Sequence, residues 1–501
     1  MIIGTTFFLY ICPMQEKINR IKELYTQWAA KDPTSIDVLQ QAGSERRYFR
    51  IWQGEKSVIG TYGANIKENE SFLYFSNHFY KKGLTVANIY AVSDDKFYYI
   101  QEDFGNVSLI NKLESEGYVD AVYNLFSQSL QKLASLQVKG DEGLDYSKCL
   151  TNTEFGKQAI MADLLYFKYY FLDALRKPYD KQKLIDDFEA LSSYLTHTDH
   201  KFFMFRDFQS RNIQISEATD GKNEVVHFID YQGGMKGAPQ YDVASLLWQA
   251  RANLPEDWKA KLLNDYLNAL EPLLDKPLNR ISFIGQFNGY VLIRLLQVLG
   301  AYGFRGLFER KAHFLTSIPL ALNNLRSFIA ENTMGIALPE FEKVLQICIA
   351  DEVIKEFTPV QANDDCPLVV KVGSFSFKKG LPVKDDANGG GFVFDCRGIL
   401  NPGRIDGMKT KTGRDKEVID FLEQQTKMPE FLHSVFDVVD ITVEDYIKRG
   451  FDSLYVNFGC TGGQHRSVYA ADAMARHLKN KFKVKIDLNH WVQDEKNWDN
   501  E

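Results

Sequence analysis

The sequence predicts a multidomain α/β chain: a small β-rich lobe, a larger helical lobe, then a separate three-layer α/β domain. Three observations carry this. β-branched and aromatic runs cluster between about 38 and 104, namely Tyr48-Phe49-Arg50-Ile51, Ser57-Val58-Ile59-Gly60-Thr61-Tyr62 and Phe97-Tyr98-Tyr99-Ile100, interrupted by one helical segment over 69–81. After Val107 helical periodicity dominates, with short strands at 202–205, 213–215 and 225–229. Beyond a polar stretch with two prolines, 358–367, strands at 368–374, 391–395, 453–458 and 484–488 alternate with helices at 416–424, 431–449 and 467–478. That alternation predicts a mostly parallel sheet covered by helices.

A chain of 501 residues predicts roughly two to four domains. With 45% apolar and 25% charged residues, it has the composition of a folded globular protein. The net charge of −7 argues against a dedicated nucleic-acid binder, which shows a basic excess. Six scattered cysteines (Cys12, Cys149, Cys348, Cys366, Cys396, Cys460) lack zinc or redox spacing and read as reduced thiols of a cytoplasmic protein.

At the N-terminus, residues 2–12 are nearly all apolar but fall short of the roughly 20 that cross a bilayer, and no basic segment precedes them. An amphipathic helix begins directly after Met14, with Ile18, Ile21, Leu24, Tyr25 and Trp28 on one face. Residues 1–13 are therefore assigned to a leader or a misassigned start, with a short membrane anchor as the rival. No other segment reads as transmembrane.

The first chemical constellation is Phe205-Arg206-Asp207-Phe208-Gln209-Ser210-Arg211-Asn212, followed by Phe228-Ile229-Asp230. Phosphoryl transfer from ATP requires a carboxylate to orient the acceptor hydroxyl, and an amide with a second carboxylate to hold magnesium against the phosphates. Asp207 and Asn212 share one tight loop, and Asp230 ends the next strand. This spacing makes Asp207 the candidate catalytic residue and Asn212 and Asp230 the candidate magnesium ligands, with ATP and Mg2+ as cofactors. The alternative is a hairpin whose Asp and Asn only form turns.

With Gly237-Ala238-Pro239-Gln240-Tyr241-Asp242-Val243-Ala244 downstream, the segment resembles the aminoglycoside phosphotransferase and choline kinase group. Gln209-Ser210-Arg211 and Ile229-Asp230-Tyr231-Gln232-Gly233 are similar to the cell-wall amino-sugar kinases that act on the anomeric hydroxyl of N-acetylmuramate and N-acetylglucosamine. The resemblance implies a bilobal protein-kinase-like fold over 14–345, with Asp242 buttressing the catalytic loop. It also implies a nucleotide site. Gly43, Ser44, Arg46 and Arg47 would form the loop over the phosphates, Gln101 and Asp103 the hinge, and Glu70 the helix glutamate that pairs with a strand lysine. The strand 57–62 lacks that lysine; Arg46, Arg47 or Arg50 is the replacement. Phe205 stands where such kinases carry a histidine. A pseudokinase stays open.

The second constellation follows the strand Ser453-Leu454-Tyr455-Val456-Asn457-Phe458. It reads Gly459-Cys460-Thr461-Gly462-Gly463-Gln464-His465-Arg466-Ser467 and leads into a helix. A glycine-rich strand-to-helix turn aims backbone N–H groups at one point and forms an anion site. The Cys460-to-Arg466 spacing also mimics the cysteine–arginine loop of tyrosine-phosphatase-like enzymes. Together with Ser374-Phe375-Ser376-Phe377-Lys378-Lys379-Gly380, Phe394-Asp395-Cys396-Arg397, Asn401-Pro402 and Thr412-Gly413, the segment resembles the RapZ C-terminal domain. That resemblance implies an amino-sugar-phosphate site made by Asp395, Arg397, Cys460, Thr461, Gly462, Gly463, His465 and Arg466. RapZ also binds RNA through basic residues near its C-terminus; here the acidic tail and Trp491 argue against RNA.

The organisation expected is thus 1–13 leader, 14–345 kinase domain, 346–366 linker, 367–490 RapZ C-terminal-like sugar-phosphate domain and 491–501 acidic tail. The function expected is a kinase of N-acetylated amino sugars in cell-wall recycling. Its partners would be the amino sugar and its phosphate, with no membrane and with a homo-oligomer left open. The rival from another class is a non-catalytic nucleotide-binding adapter of RapZ type acting on a protein or RNA. A third option is another small alcohol as acceptor: an aminoglycoside, a choline-like amine or homoserine.

Overall fold

A computed structural model describes residues 13–39, 46–217, 224–309, 312–332, 334–382, 390–405 and 407–495. Gly43, Ser44, residues 1–12 and the end of the 491–501 tail lie outside the described residues. The chain divides into two compact units, Met1–Gly303 with Leu320–Ala350, and Phe304–Pro319 with Asp351–Glu501.

The first unit opens with an antiparallel sheet of β1 (Ser35–Val38), β2 (Arg47–Gln53), β3 (Lys56–Tyr62), β4 (Ile89–Val92) and β5 (Tyr98–Glu102), in the order β1-β2-β3-β5-β4. The short strands β1 and β4 were not expected from the sequence, because four residues give too little alternation to register. Helix Pro13–Ala29 covers one face, with Ile21, Leu24 and Tyr25 on Phe49, Ile51, Tyr98 and Ile100. Gly60 permits this approach: a Cβ there would lie 2.4 Å from Cγ1 of Ile21. Cross-strand register puts Tyr48, Thr61, Tyr99 and Gln101 on the opposite face.

At the end of that sheet Arg50 forms a buried fork with Asp103: Nε to Oδ2 2.6 Å and Nη2 to Oδ1 2.9 Å. Arg50 also donates to Asn106 Oδ1 (2.6 Å) and Gly105 O (3.1 Å), while Ser57 Oγ donates to Asp103 Oδ2 (2.7 Å). Burial alone would raise the Asp103 pKa, but Arg50, Ser57 and the Gly105 N–H hold it below the usual carboxylate range.

The remainder of this unit is helical around two small antiparallel strand pairs, β6 (Phe202–Met204) with β9 (Met235–Gly237), and the hairpin of β7 (Ile213–Glu217) with β8 (Glu224–Phe228). Among the described residues one helix, Arg280–Phe308, is long and apolar enough to cross a bilayer, a segment not picked out from the sequence. Leu292, Ile293 and Leu296 within it are fully buried, and so is most of Arg294, so it serves as a core helix.

The second unit carries a four-stranded sheet of β10 (Val369–Ser376), β11 (Gly391–Asp395), β12 (Ser453–Cys460) and β13 (Lys485–His490), ordered β11-β12-β10-β13 with every pair parallel. The central strands β10 and β12 are buried along most of their length, whereas the edge strands β11 and β13 alternate. Helices Lys416–Gln425, Met428–Arg449 and Arg466–Phe482 contribute Leu422, Val439 and Met474 to the core with Val370, Val456 and Phe458. The five described cysteines are free and buried.

The Arg50→Ala substitution strands the buried Asp103 carboxylate and is expected to cost about 3–5 kcal/mol, the scale for breaking a buried pair. Hydrogen-exchange protection of β2, β3 and β5 reads this; a loss below about 1 kcal/mol, the scale of an exposed pair, would contradict it.

Candidate functional site

The loop 205–212 leaves β6 and returns as β7, and its backbone is fixed from below by one carboxylate. Asp242, fully buried in helix Gln240–Leu247, accepts the N–H of Phe205 (2.8 Å) and of Arg206 (2.9 Å), and Gln137 Nε2 (3.0 Å). Burial pushes its carboxyl up to about 6, and those three donors and the Arg206 charge limit the rise. Arg206 itself sits at φ 76°, a left-handed conformation unusual for a branched-free long side chain, and it is held there by Asp163 (2.8 and 2.9 Å) and the Tyr241 hydroxyl (2.8 Å). Phe205, in the place of the expected histidine, is buried against Phe208, Phe228 and Tyr231.

This frame brings Asp207, Asn212 and Asp230 together. The Asn212 amide donates to Asp207 O (2.9 Å) and lies 3.4 Å from Asp230 Oδ2. Asp230, at φ 69°, also accepts Gln232 Nε2 on Oδ1 (2.7 Å). Asp207 Oδ1 receives Arg294 Nη2 (3.2 Å) and Gln209 Nε2; Oδ2 receives Arg211 Nη2 (3.2 Å). Burial opposes the Asp207 charge, but Arg294 and Arg211 outweigh it and keep the pKa below the usual value. Among the described residues no group of three or more His, Cys, Asp or Glu could hold a metal. Asn212 and Asp230 instead bring one side-chain amide and one carboxylate together, with the amide nitrogen toward Asp230. Such a pair suits Mg2+, which commonly takes one or two protein ligands and completes its shell with phosphates and water.

Of the three arginines that could replace the missing lysine, Arg46 is buried and paired with a helix carboxylate. Its guanidinium is buried next to Tyr48 and Tyr99 and pairs with Glu68 Oε1 at 3.2 Å. Glu68 also accepts Gln232 Nε2 (3.3 Å), so a continuous chain runs Arg46–Glu68–Gln232–Asp230. Glu70, the expected helix glutamate, instead forms an exposed pair with Lys96. Both lie early in helix Ile66–Lys81, two residues and so about 200° apart around the helix, which sends their carboxylates to different sides. Arg50 is committed to Asp103, and that pair occupies the side chain of the expected hinge residue. Gln101 lies buried on the inner face of β5, and its Oε1 has no hydrogen-bond partner among the described residues.

Sequence reasoning missed Glu68, Gln232 and Arg294. A signal existed for Arg294: it is a lone charge in the run Tyr290-Val291-Leu292-Ile293-Arg294-Leu295-Leu296, and a charge in a core helix needs a partner. Nothing in the spacing identifies that partner, 87 residues away.

In the second unit the loop after β12 closes around Cys460. Its Sγ accepts the Gly463 N–H (3.2 Å) and lies 3.1 Å from Ser467 Oγ. Burial would raise the thiol pKa, yet hydrogen bonds from Ser467 and the Gln464 N–H bring it below the ordinary value. Gly463 sits at φ 66°, where a Cβ would fall 2.5 Å from Cγ2 of Val492, so only glycine fits. Arg466 Nη1 donates to the carbonyls of Arg397 (3.2 Å) and Ile399 (2.7 Å), and its buried Nε has no hydrogen-bond partner among the described residues. A ring nitrogen of His465 bonds Met408 O (3.0 Å), and burial depresses the pKa of that imidazole. Asp395 and Arg397 pair with each other at the exposed end of β11, where Arg397 also lies 3.9 Å from the centre of the Phe377 ring. Exposed Thr461 and Gly462 complete the loop. The register partners Asp395 and Gly459 bring both sets of predicted residues to one end of the sheet.

Comparison with known proteins divides the chain at the same place. Residues 44–276 match the family described as Phosphotransferase enzyme family, and residues 368–492 match the RapZ C-terminal domain. A nucleotide-binding protein of Fervidobacterium nodosum is 35% identical over 196 residues, covering 36% of this chain and 65% of the relative. One from Endomicrobium trichonymphae is 43% identical over 117 residues, covering 23% and 39%. The chain therefore spans less than two thirds of the length of these curated relatives. Among solved structures, a choline/ethanolamine kinase family protein from Mesorhizobium loti aligns at TM-score 0.41 and 12% identity, over 66% of this chain and 98% of that one. A choline kinase from Cryptosporidium parvum aligns at TM-score 0.43 and 12% identity, over 66% and 99%.

Because the folded Asp242 pKa of about 6 exceeds the ordinary 3.8, its contribution to stability is present below pH ~4 and is lost as pH rises through about 6. The stability difference between wild type and Asp242→Asn should therefore shift against the wild type between pH 4 and 6 and level off above. Urea midpoints across that range measure it; a pH-independent difference would contradict the assignment.

Proposed function

We propose that this chain, which joins a domain of the phosphotransferase enzyme family to a RapZ C-terminal domain, transfers the terminal phosphoryl group of ATP to a hydroxyl of a small molecule. The observation that carries this reading is the convergence of Asp207, Asn212 and Asp230 at one end of two antiparallel strand pairs, with the first carboxylate held by Arg294 and the other two side chains 3.4 Å apart. Asp207 orients the acceptor oxygen and takes its proton. The bond from the terminal phosphorus to the ADP oxygen breaks as the bond to the acceptor oxygen forms. Asn212 and Asp230 would hold a magnesium ion, and that ion would supply neutralising charge for the phosphates. Arg46, aligned by Glu68, faces the phosphates, and the backbone around Gln101 and Asp103 meets the base. No covalent enzyme intermediate is needed; positioning and preorganised charge supply the acceleration.

For the acceptor we infer an N-acetylated amino sugar, phosphorylated on its anomeric hydroxyl in cell-wall sugar recycling, with the second domain binding an amino-sugar phosphate. The sequence likeness of residues 205–233 and the RapZ C-terminal match support the same chemistry from two ends of the chain. The loop 460–466, with backbone N–H groups, Thr461 and the neighbouring Arg397, suits a phosphate monoester. A second reading, a nucleotide-binding adapter without turnover, draws on the relatives' description as nucleotide-binding proteins.

ATP-dependent phosphorylation of N-acetylmuramate, N-acetylglucosamine and glucosamine, followed by phosphorus NMR, tests the first reading. An anomeric phosphate is expected from the wild type. Asp207→Asn should lose at least about 100-fold in kcat, the scale of general-base catalysis, while keeping nucleotide affinity. Tight magnesium–ATP binding without turnover on any sugar would favour the adapter.

Glu68→Gln should weaken ATP binding by about tenfold, the scale of one charge-assisted contact, whereas Glu70→Gln should leave it within about twofold, as for an exposed pair. Equal effects in a nucleotide titration would remove Glu68 from the site.

A further inference from the structure

The register of β11 on β12 sets two buried cysteines beside each other. The strands are parallel, with Phe394 opposite Phe458 and Asp395 opposite Gly459. Side chains return to the same face every second residue, so the next pair on the face of Phe394 and Phe458 is Cys396 with Cys460. The packing agrees: the two phenyl rings stack at 5.5 Å, and all four side chains belong to one core. Neighbouring strands lie about 4.7–4.9 Å apart, within the range of about 4.4–6.8 Å between Cα atoms that a disulfide spans. Both thiols are free, Cys396 with no exposed surface and Cys460 with 2%. The other described cysteines have no such neighbour. Cys366 precedes β10, at the end of the parallel strands opposite Cys460, and Cys149 and Cys348 belong to the first unit.

The two thiols are unlike in environment. Cys460 begins the glycine-rich loop, directly before exposed Thr461 and Gly462. Its Sγ lies against the Ser467 hydroxyl and the Gly463 N–H, at 3.1 and 3.2 Å. Burial opposes its ionisation, but the Ser467 and Gln464 hydrogen bonds and the Arg466 charge outweigh burial and favour the thiolate. Cys396 lies deeper, where burial and the charge of Cys460 push its thiol up. One sulfur is thus suited to attack, and the other to wait as the partner that closes the bond.

We propose that Cys396 and Cys460 are a modification site, a pair that a hydroperoxide converts to a disulfide, and that this bond opens the loop 460–467. The Cys460 thiolate attacks one peroxide oxygen, the O–O bond breaks, and Cys460 becomes a sulfenic acid as hydroxide leaves. The Cys396 sulfur then attacks the Cys460 sulfur, and the sulfenic oxygen departs with the Cys396 proton as water once the released hydroxide is protonated. Two thiols are oxidised to one disulfide, and one hydrogen peroxide is reduced to two waters. The bond draws Sγ of Cys460 towards β11 and removes its negative charge. The buried Gly463 N–H then loses its acceptor, and leaving such a donor unpaired is costly, so the loop opens to hydrate it. This step stands on the strand register and is independent of any ligand of the loop.

The test treats the full chain, first reduced, with hydrogen peroxide in the absence of denaturant. The intact mass is expected to fall by two hydrogens, a linked peptide should join residues 396 and 460, and dithiothreitol should reverse both. Amide hydrogen exchange at Gly463 should quicken by about tenfold, the scale of one lost hydrogen bond, while β10 keeps its protection. Cys396→Ser should exchange Gly463 as slowly as the reduced wild type, and peroxide should add oxygen to it at Cys460 without a link. Two thiols still free to alkylation after the treatment overturn the proposal, as does a link from Cys460 to any other cysteine. A linked chain in which Gly463 exchanges no faster also overturns it.

Discussion

The candidate active site depends on one buried carboxylate. Asp242 has no exposed surface and receives two consecutive backbone N–H groups of the loop that bears Asp207. Those N–H groups sit at the end of β6, where no strand partner is available, and a buried unpaired donor is costly. Asp242 meets that need and thereby fixes the direction in which the loop leaves the sheet. Gln137 fastens it from a neighbouring helix and itself accepts the Tyr266 hydroxyl at 2.6 Å. The left-handed turn at Arg206 persists because Asp163 and Tyr241 hold its side chain, and that turn presents Asp207 to the cleft.

The same logic of compensation explains the upper lobe. A lysine on the central strand is absent, and a buried positive charge, Arg46, stands at the start of the preceding strand beside Glu68. An arginine reaches farther and keeps its charge when buried, whereas a lysine in that environment shifts its pKa more readily. Its carboxylate partner is accordingly the one at the first turn of helix Ile66–Lys81. Through Gln232 this pair is joined to Asp230, so Arg46 and a candidate metal ligand share one hydrogen-bonded chain.

In the second unit the glycine-rich loop is shaped from within. Cys460, Ser467 and the Gly463 N–H form its floor; Arg466 ties it to the turn after β11 and His465 to the segment before helix Lys416–Gln425. The two basic side chains expected to meet an anion directly therefore also hold the loop shut around its own backbone. That leaves Thr461 and Gly462 as the exposed residues of the loop.

Much of this was legible in the sequence. Strong periodicity located helix Ile66–Lys81 and helix Arg466–Phe482, and uniform apolar character located β10 and β12, because burial on both faces leaves no other composition workable. Asp207, Asn212, Asp230 and the 459–467 loop were visible because residues close in sequence on one tight turn are necessarily close in space. Short edge strands such as β1 and β4 escaped, since four residues carry little pattern. What the sequence by itself determined is the fold class, the division into two unlike domains and the locally encoded chemistry of each. Only the tertiary structure decided which charges meet: Glu68 rather than Glu70 for Arg46, Arg50 for Asp103, and Arg294 for Asp207. Those pairings join residues distant along the chain, and their energy depends on burial and on side-chain direction to a fraction of a helical turn, quantities that exist only once the chain has folded.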